Sequence, residues 1–230
     1  MQPQGNKTLL PISIIIAGVL IAGALYFGGN KNAPVAQGPE EVKEPVLTEV
    51  TAKDHILGNP DASIKLVEYS DTECPFCKRF HATMQRIISE YGESGKVAWV
   101  YRHFPIDELH SKARKEAEAT ECAAELGGNN KFWSYLDRLM EVTPGNNGLD
   151  PAELPRIAEY VGLDKNKFNE CLSSGKHSQK VEEQVQSAVT AGARGTPYTI
   201  LVDAKGKLSI INGAQPYENV KAAIEQALGN

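Results

Sequence analysis

Two thiols stand two residues apart in Cys74-Pro75-Phe76-Cys77. A thiolate is both a nucleophile and a metal ligand, so this spacing admits several chemistries. The flanking residues separate them. Ile64-Lys65-Leu66-Val67-Glu68-Tyr69 reads as a strand, and Phe80 to Tyr91 reads as a helix. The pair therefore sits where a strand gives way to a helix. The chain reverses at Cys74, and the free N–H groups of the new helix face its sulfur. Those donors and the helix dipole favour the thiolate. Pro75 fits the first helical position, where its missing N–H would have no partner. Cys77 follows one turn later, placed to attack a mixed disulfide formed at Cys74. A zinc site needs a second ligand pair, but Cys122 and Cys171 form no such pair and no His-x3-His follows. A purely structural disulfide between neighbours would constrain the unfolded chain little. A chance pair of buried cysteines is the remaining alternative. The expectation is a redox dithiol with Cys74 as nucleophile and Cys77 as resolving thiol, and with no metal or cofactor.

Three further residues bear on that chemistry. Glu68 shares a strand face with Leu66 and Ile64. A carboxyl on a core-facing position would lie beneath Cys77 with a raised pKa, ready to take and return the proton of the resolving thiol. On an edge strand it would instead be solvated. His81, four residues after Cys77, lies on roughly the same helix face. It reads as an ordinary surface or groove residue more readily than as a group that tunes the thiolate. Pro197 opens the apolar strand Tyr198 to Val202, where it cannot donate to the ladder. A cis Thr196–Pro197 bond beside a site would account for it.

The elements that must hold these residues follow in order. Asp54 to Ala62 is polar, with a turn at Gly58-Asn59-Pro60-Asp61. Lys96 to Phe104 is apolar on both faces and reads as a central strand. Lys112 to Leu126 and Asn130 to Met140 read as two helices. Asp150-Pro151-Ala152-Glu153 reads as a capped helix start, Pro155 as the site of a kink, and Gly162 as the end. Asp164 caps the next helix, and Val181, Val185 and Ala188 mark another before Gly192. Asp203-Ala204-Lys205-Gly206 turns a hairpin, and Pro216 to Leu228 is an amphipathic helix. The order predicts an α/β fold, a mixed sheet covered by helices with a helical block inserted at about 107–192. Cys122 and Cys171 both sit on apolar faces of that block, so an exported domain would pair them; two inert core cysteines are the alternative.

The chain has 230 residues, which accommodates one domain of ordinary size plus extras. A net charge of −5 with no basic stripe gives no reason to expect nucleic acid. Leu9 to Gly29 holds no charged residue and as a helix would span roughly 30 Å, about a bilayer's hydrocarbon thickness. Lys7 before this run favours a cytoplasmic N-terminus, residues 1–8, and an exported body. A retained signal-anchor is preferred to a cleaved signal peptide, because the run is longer than a usual h-region. Residues 30–50, with Pro34, Pro39, Pro45 and Gly38, read as a linker.

Taken together, Val67-Glu68-Tyr69 before Cys74-Pro75-Phe76-Cys77, Tyr101-Arg102-His103-Phe104-Pro105, Cys122-Ala123-Ala124 with Phe132-Trp133, and Gly195-Thr196-Pro197 carry a resemblance. Residues 51–228 resemble a bacterial, membrane-anchored, DsbA-like thiol:disulfide oxidoreductase with a thioredoxin fold. The resemblance implies that Cys74 forms the mixed disulfide and Cys77 resolves it. It implies that Thr196 and Pro197 bind the substrate backbone beside Pro75 and Phe76. It matches Glu68 to the family's buried acid, and it supports a second disulfide, Cys122–Cys171. The implied partners are reduced exported proteins and a DsbB-like or VKOR-like membrane protein that reoxidises the dithiol. The implied location is the cell membrane, single-pass, with the catalytic part outside the cytoplasm. Two positions depart from the strongest oxidases: Phe76 stands where they carry histidine, and Thr196 where they carry valine. Threonine is common in isomerase and reductase relatives, which keeps a reductase or isomerase as the alternative. A non-catalytic metal-binding or substrate-holding module is the alternative of another class.

Overall fold

The strand expected ahead of the dithiol buries Ile64, Leu66, Val67 and Tyr69 together with Glu68 and Ser70, and it forms the middle of a five-stranded sheet. The computed structural model describes residues 45–229. In chain order it contains β1 (His55–Gly58), β2 (Ile64–Ser70), α1 (Pro75–Tyr91), β3 (Val97–His103), α2 (Ala113–Val142), α3 (Glu153–Tyr160), α4 (Lys165–Ser174), α5 (Ser178–Thr190), β4 (Tyr198–Val202), β5 (Leu208–Asn212) and α6 (Tyr217–Leu228). The sheet order is β1-β3-β2-β4-β5. β2 and β3 are parallel, with Glu68 beside Tyr101, and the remaining pairs are antiparallel.

Period-two alternation divides the sheet into two faces. Leu66, Trp99, Tyr101 and Leu201 pack beneath Phe80, Met84 and Ile87 of α1 and Val220 and Ile224 of α6. Val67, Tyr69, Val100 and Ile200 lie on the other face with Ala188 of α5. Both faces of β2 and β3 are therefore covered, as continuous apolar runs require. The helical block between β3 and β4 has its own core, in which Cys122, Tyr135, Leu139, Ile157, Phe168 and Cys171 meet.

Four local readings change. β1 was not anticipated within the polar stretch 54–62. Its His55-Ile56-Leu57-Gly58 is a short edge strand, held by β3 rather than by its own propensity. The two helices expected at 112–126 and 130–140 form one run, broken at Gly128 (φ 74°, ψ −170°), a conformation essentially reserved for glycine. Asp150 accepts from the Ala152 N–H in a turn, and α3 begins only at Glu153 without a side-chain cap. Pro155 then falls within the first turn of α3, where its missing N–H leaves no gap in the ladder, so no kink results. Asp164 caps α4 as expected, accepting from the N–H groups of Asn166 and Lys167.

The proposed anchor at 9–29, the preceding residues 1–8 and most of the linker lie outside the described residues. Among the described residues no helix is long and apolar enough to cross a membrane.

Candidate active site

Cys74 is the N-cap of α1 with extended backbone (φ −77°, ψ 120°), and Pro75 follows at the first helical position. The helix therefore opens at the sulfur. The backbone N–H groups of Phe76 and Cys77 and the side chains of Cys77 and Thr196 all donate towards Cys74, and they outweigh its partial burial. Its thiol is lowered to about 6, with the Cys77 thiol as the largest cause. Cys77 lies one turn deeper and is fully buried. Burial, then the charge on Cys74 and on Glu68, push its thiol well above the ordinary value. Both are free thiols here. The surroundings thus treat the two sulfurs oppositely: donors at the helix terminus favour the thiolate at Cys74, and burial favours the thiol at Cys77.

The loop before β4 closes the site from across the sheet. The Thr196–Pro197 peptide bond is cis. The Thr196 carbonyl accepts from Cys74 Sγ at 3.6 Å. Phe76 stands beside the nucleophile with 56% of its surface exposed, and the Arg79 guanidinium lies 5.1 Å over its ring.

Glu68 lies within the sheet, fully buried, and neither carboxyl oxygen meets a donor. Desolvation pushes it up to about 7, opposed by the nearby Ser70 and Trp99 side chains. It is close enough for its charge to raise Cys77. Its solvated alternative does not apply, because β2 is an inner strand. His81 is buried against Trp99 and bonds Asp137 of α2 at 2.8 Å. It ties α1 to α2.

Cys122 and Cys171 are bonded to each other, joining α2 to α4 across 49 residues of sequence.

Sequence reasoning missed the acids of the turn itself. The Asp71 N–H donates to Cys77 Sγ at 3.4 Å. The Asp71 carboxyl accepts from the N–H groups of Glu73 and Ile106 and from His110 Nδ1, at 2.8, 2.7 and 2.9 Å. It pins the dithiol turn to the segment after β3. Glu73, next to Cys74, is fully buried and reaches the loop before α3 through the Gly148 N–H at 3.2 Å. These residues stood in the motif stretch, but their partners lie 35 to 75 residues away and carry no local signature.

A family model described as thioredoxin matches residues 50–226. The chain belongs to the thioredoxin family. Its thioredoxin domain is similar to DsbA2 of Pseudomonas aeruginosa, with 26% identity, a TM-score of 0.66, and cover of 78% of this chain and 96% of that one. BdbD of Bacillus subtilis in its oxidised form gives a TM-score of 0.69 at 23% identity, covering 81% of this chain and all of that one. The α-DsbA1 of Wolbachia pipientis gives 0.68 at 23% identity, covering 78% and 93%. The fold of the thioredoxin domain is thus DsbA-like, with the helical block as its insertion. Curated relatives include the Na(+)/H(+) antiporter NhaA 3 of Salinispora tropica, 32% identical over 178 residues, and the Na(+)/H(+) antiporter NhaA of Herminiimonas arsenicoxydans, 32% identical over 227. These matches take in 77% and 96% of this chain but 25% and 33% of the relatives. The chain therefore spans a quarter to a third of their length.

Proposed function

We propose that this thioredoxin-family protein is an extracytoplasmic thiol:disulfide oxidoreductase that introduces disulfides into exported proteins. The observation that carries the reading is the placing of the dithiol: Cys74 caps the N-terminus of α1, where donors lower its thiol, and Cys77 is fully buried one turn on, where burial raises its thiol. A thiolate held at neutral pH stabilises the reduced pair, and a stabilised reduced form makes the disulfide an oxidant. In the first step a substrate thiolate attacks Cys74 Sγ. The Cys74–Cys77 bond breaks, and Cys77 leaves and takes up a proton, which Glu68 supplies. In the second step the other substrate thiolate attacks its own sulfur in the mixed disulfide, and Cys74 departs as thiolate. The substrate loses two electrons and two protons, of which one ends on Cys77 and one in solvent. Thr196 and Pro197 hold the substrate backbone, and Pro75 and Phe76 border it. Residues 9–29 anchor the chain in the cell membrane, and a quinone-linked membrane partner of the DsbB or VKOR type restores the disulfide.

The second reading, a reductase or isomerase working from the dithiol, rests on Thr196 before the cis-proline and on Phe76 between the cysteines. One measurement separates the two. The full chain in mild detergent is equilibrated in glutathione buffers and the potential of Cys74–Cys77 is read. We expect a value towards about −120 mV; a value towards about −270 mV makes the protein a reductant and overturns the oxidase reading. Cys74→Ser is expected to abolish oxidation of a reduced substrate, and normal activity in that variant removes the mechanism altogether.

A further inference from the structure

Beside Cys74 lies a pair of acids that the reaction above does not use. Glu73 precedes the nucleophile and is fully buried, and Glu116, in the first turn of α2, is 2% exposed. Thr72 Oγ1 donates to Glu116 Oε2 at 2.7 Å, which fixes that carboxyl against the turn. Glu73 Oε2 accepts from the Gly148 N–H at 3.2 Å, while Glu73 Oε1 is buried and meets no N–H or hydroxyl donor among the described residues. The Glu116 carboxyl lies at hydrogen-bonding range of the Glu73 side chain. Two carboxylates at that range repel, and a buried acceptor without a donor is costly. A single proton between them removes both penalties.

The surroundings provide no other remedy. Among the described residues no Lys, Arg or His lies within salt-bridge distance of either carboxyl. Lys78 Nζ is bound to the carbonyls of Glu141 and Thr143, and Lys112 Nζ to that of Leu149. Asp71 in the turn is held by His110 and adds negative charge near Glu116. Tyr135, from the second half of α2, feels the charge of Glu116. Burial and Glu73 push Glu116 up to about 9. The backbone makes the same junction: the Glu73 carbonyl accepts from the Asn146 N–H at 2.7 Å, and a Cβ on Gly145 would come within 3.1 Å of that carbonyl and 3.4 Å of Pro75.

We propose that Glu73 and Glu116 share one proton and thereby clamp the Cys74 segment to the helical block. They are positioning residues: the clamp keeps Cys74 in register with the N-terminal amides of α1, and it opens when the shared proton is lost. The clamp acts on the site of the proposed oxidoreductase, but it is a property of the reduced chain and holds whichever way electrons flow.

The test uses the full reduced chain in mild detergent, with E116Q and E116A. The amide of E116Q donates to Glu73 without a titrating proton, whereas E116A leaves Glu73 Oε1 without a donor. The first readout is the thermal midpoint against pH. Because the folded-state pKa of Glu116 is raised, its contribution is favourable at low pH and is lost as pH rises from about 4.5 towards about 9. E116Q is therefore expected to gain on the wild type steadily from pH 5 to pH 8. A difference that does not change with pH overturns the shared proton. The second readout is the Cys74 thiolate absorbance at 240 nm. E116A is expected to cut the thiolate fraction at pH 6 to about half of the wild-type value or less, and E116Q to restore it. If both variants titrate like the wild type, the clamp does not position the nucleophile. Neither readout depends on the reduction potential, so failure here and failure of the oxidase reading are distinguishable.

Discussion

A carboxyl removed from water holds its proton more tightly than an exposed one, and the fully buried Glu68 is that case. Its folded-state pKa of about 7 exceeds the ordinary 4.5, so the native chain binds the proton more strongly than the unfolded chain does. Stability tied to this group is complete below about pH 4.5 and falls as pH rises through about 7. Glu68→Gln is therefore expected to be more stable than the wild type by about 3 kcal/mol at pH 8, with the gain closing towards pH 5. Denaturant unfolding at the two pH values checks this. The same variant is expected to slow the step that protonates Cys77, since it removes a buried acid close enough to act on that thiol. A gain in stability with no loss of exchange rate would leave Glu68 a buried acid without a part in the chemistry. The strand face of Glu68 was legible from its alternation with Leu66 and Ile64. Its full burial followed from the positions of β3 and β4 on either side of β2, which alternation does not report.

At the level of elements, short-range patterns placed most helices because caps and glycines act locally. Asp164 and Gly175 bound α4 with side-chain acceptance at one end and a left-handed residue (φ 64°) at the other. β1 escaped because a four-residue edge strand draws its stability from a neighbour. The Cys122–Cys171 bond ties α2 to α4 and closes a loop of 49 residues, which the chain-entropy relation values at roughly 4 kcal/mol. Replacing both cysteines with alanine is expected to lower stability by about that amount. It is expected to leave the Cys74–Cys77 potential unchanged, because the bond lies in the core of the helical block and not in the dithiol cluster. Chemical denaturation and glutathione equilibration of the double variant test the two halves separately. A shifted potential would mean that the block transmits its packing to the site.

For the molecule as a whole, the proposal sets an oxidising thioredoxin domain on a membrane tether. In a bacterial cell the full chain is expected in the membrane fraction and to resist alkaline extraction. A chain lacking residues 1–29 and directed to export by an unrelated leader is expected to be released in soluble form. In intact cells, after reduction, Cys74 is expected to react with a membrane-impermeant maleimide. Labelling only after lysis would place the domain on the cytoplasmic side and reverse the topology.

The sequence by itself determined where the dithiol stands, because that placing is local. A strand, a reversal, a proline and one helical turn bring the first sulfur to the helix amides and the second beneath it, whatever the rest of the chain does. It also determined the proline-led strand and the alternation that turns Glu68 inward. Tertiary structure alone decided which distant groups meet the turn. Thr196 arrives from 122 residues after Cys74, His110 from 39 after Asp71, and Glu116 from 44 after Thr72. A buried acid acquires its partner through the topology of the sheet and the docking of the helical block. No spacing along the chain encodes that meeting, so the pairing of Glu73 with Glu116 beside Cys74 is legible only when the fold is closed.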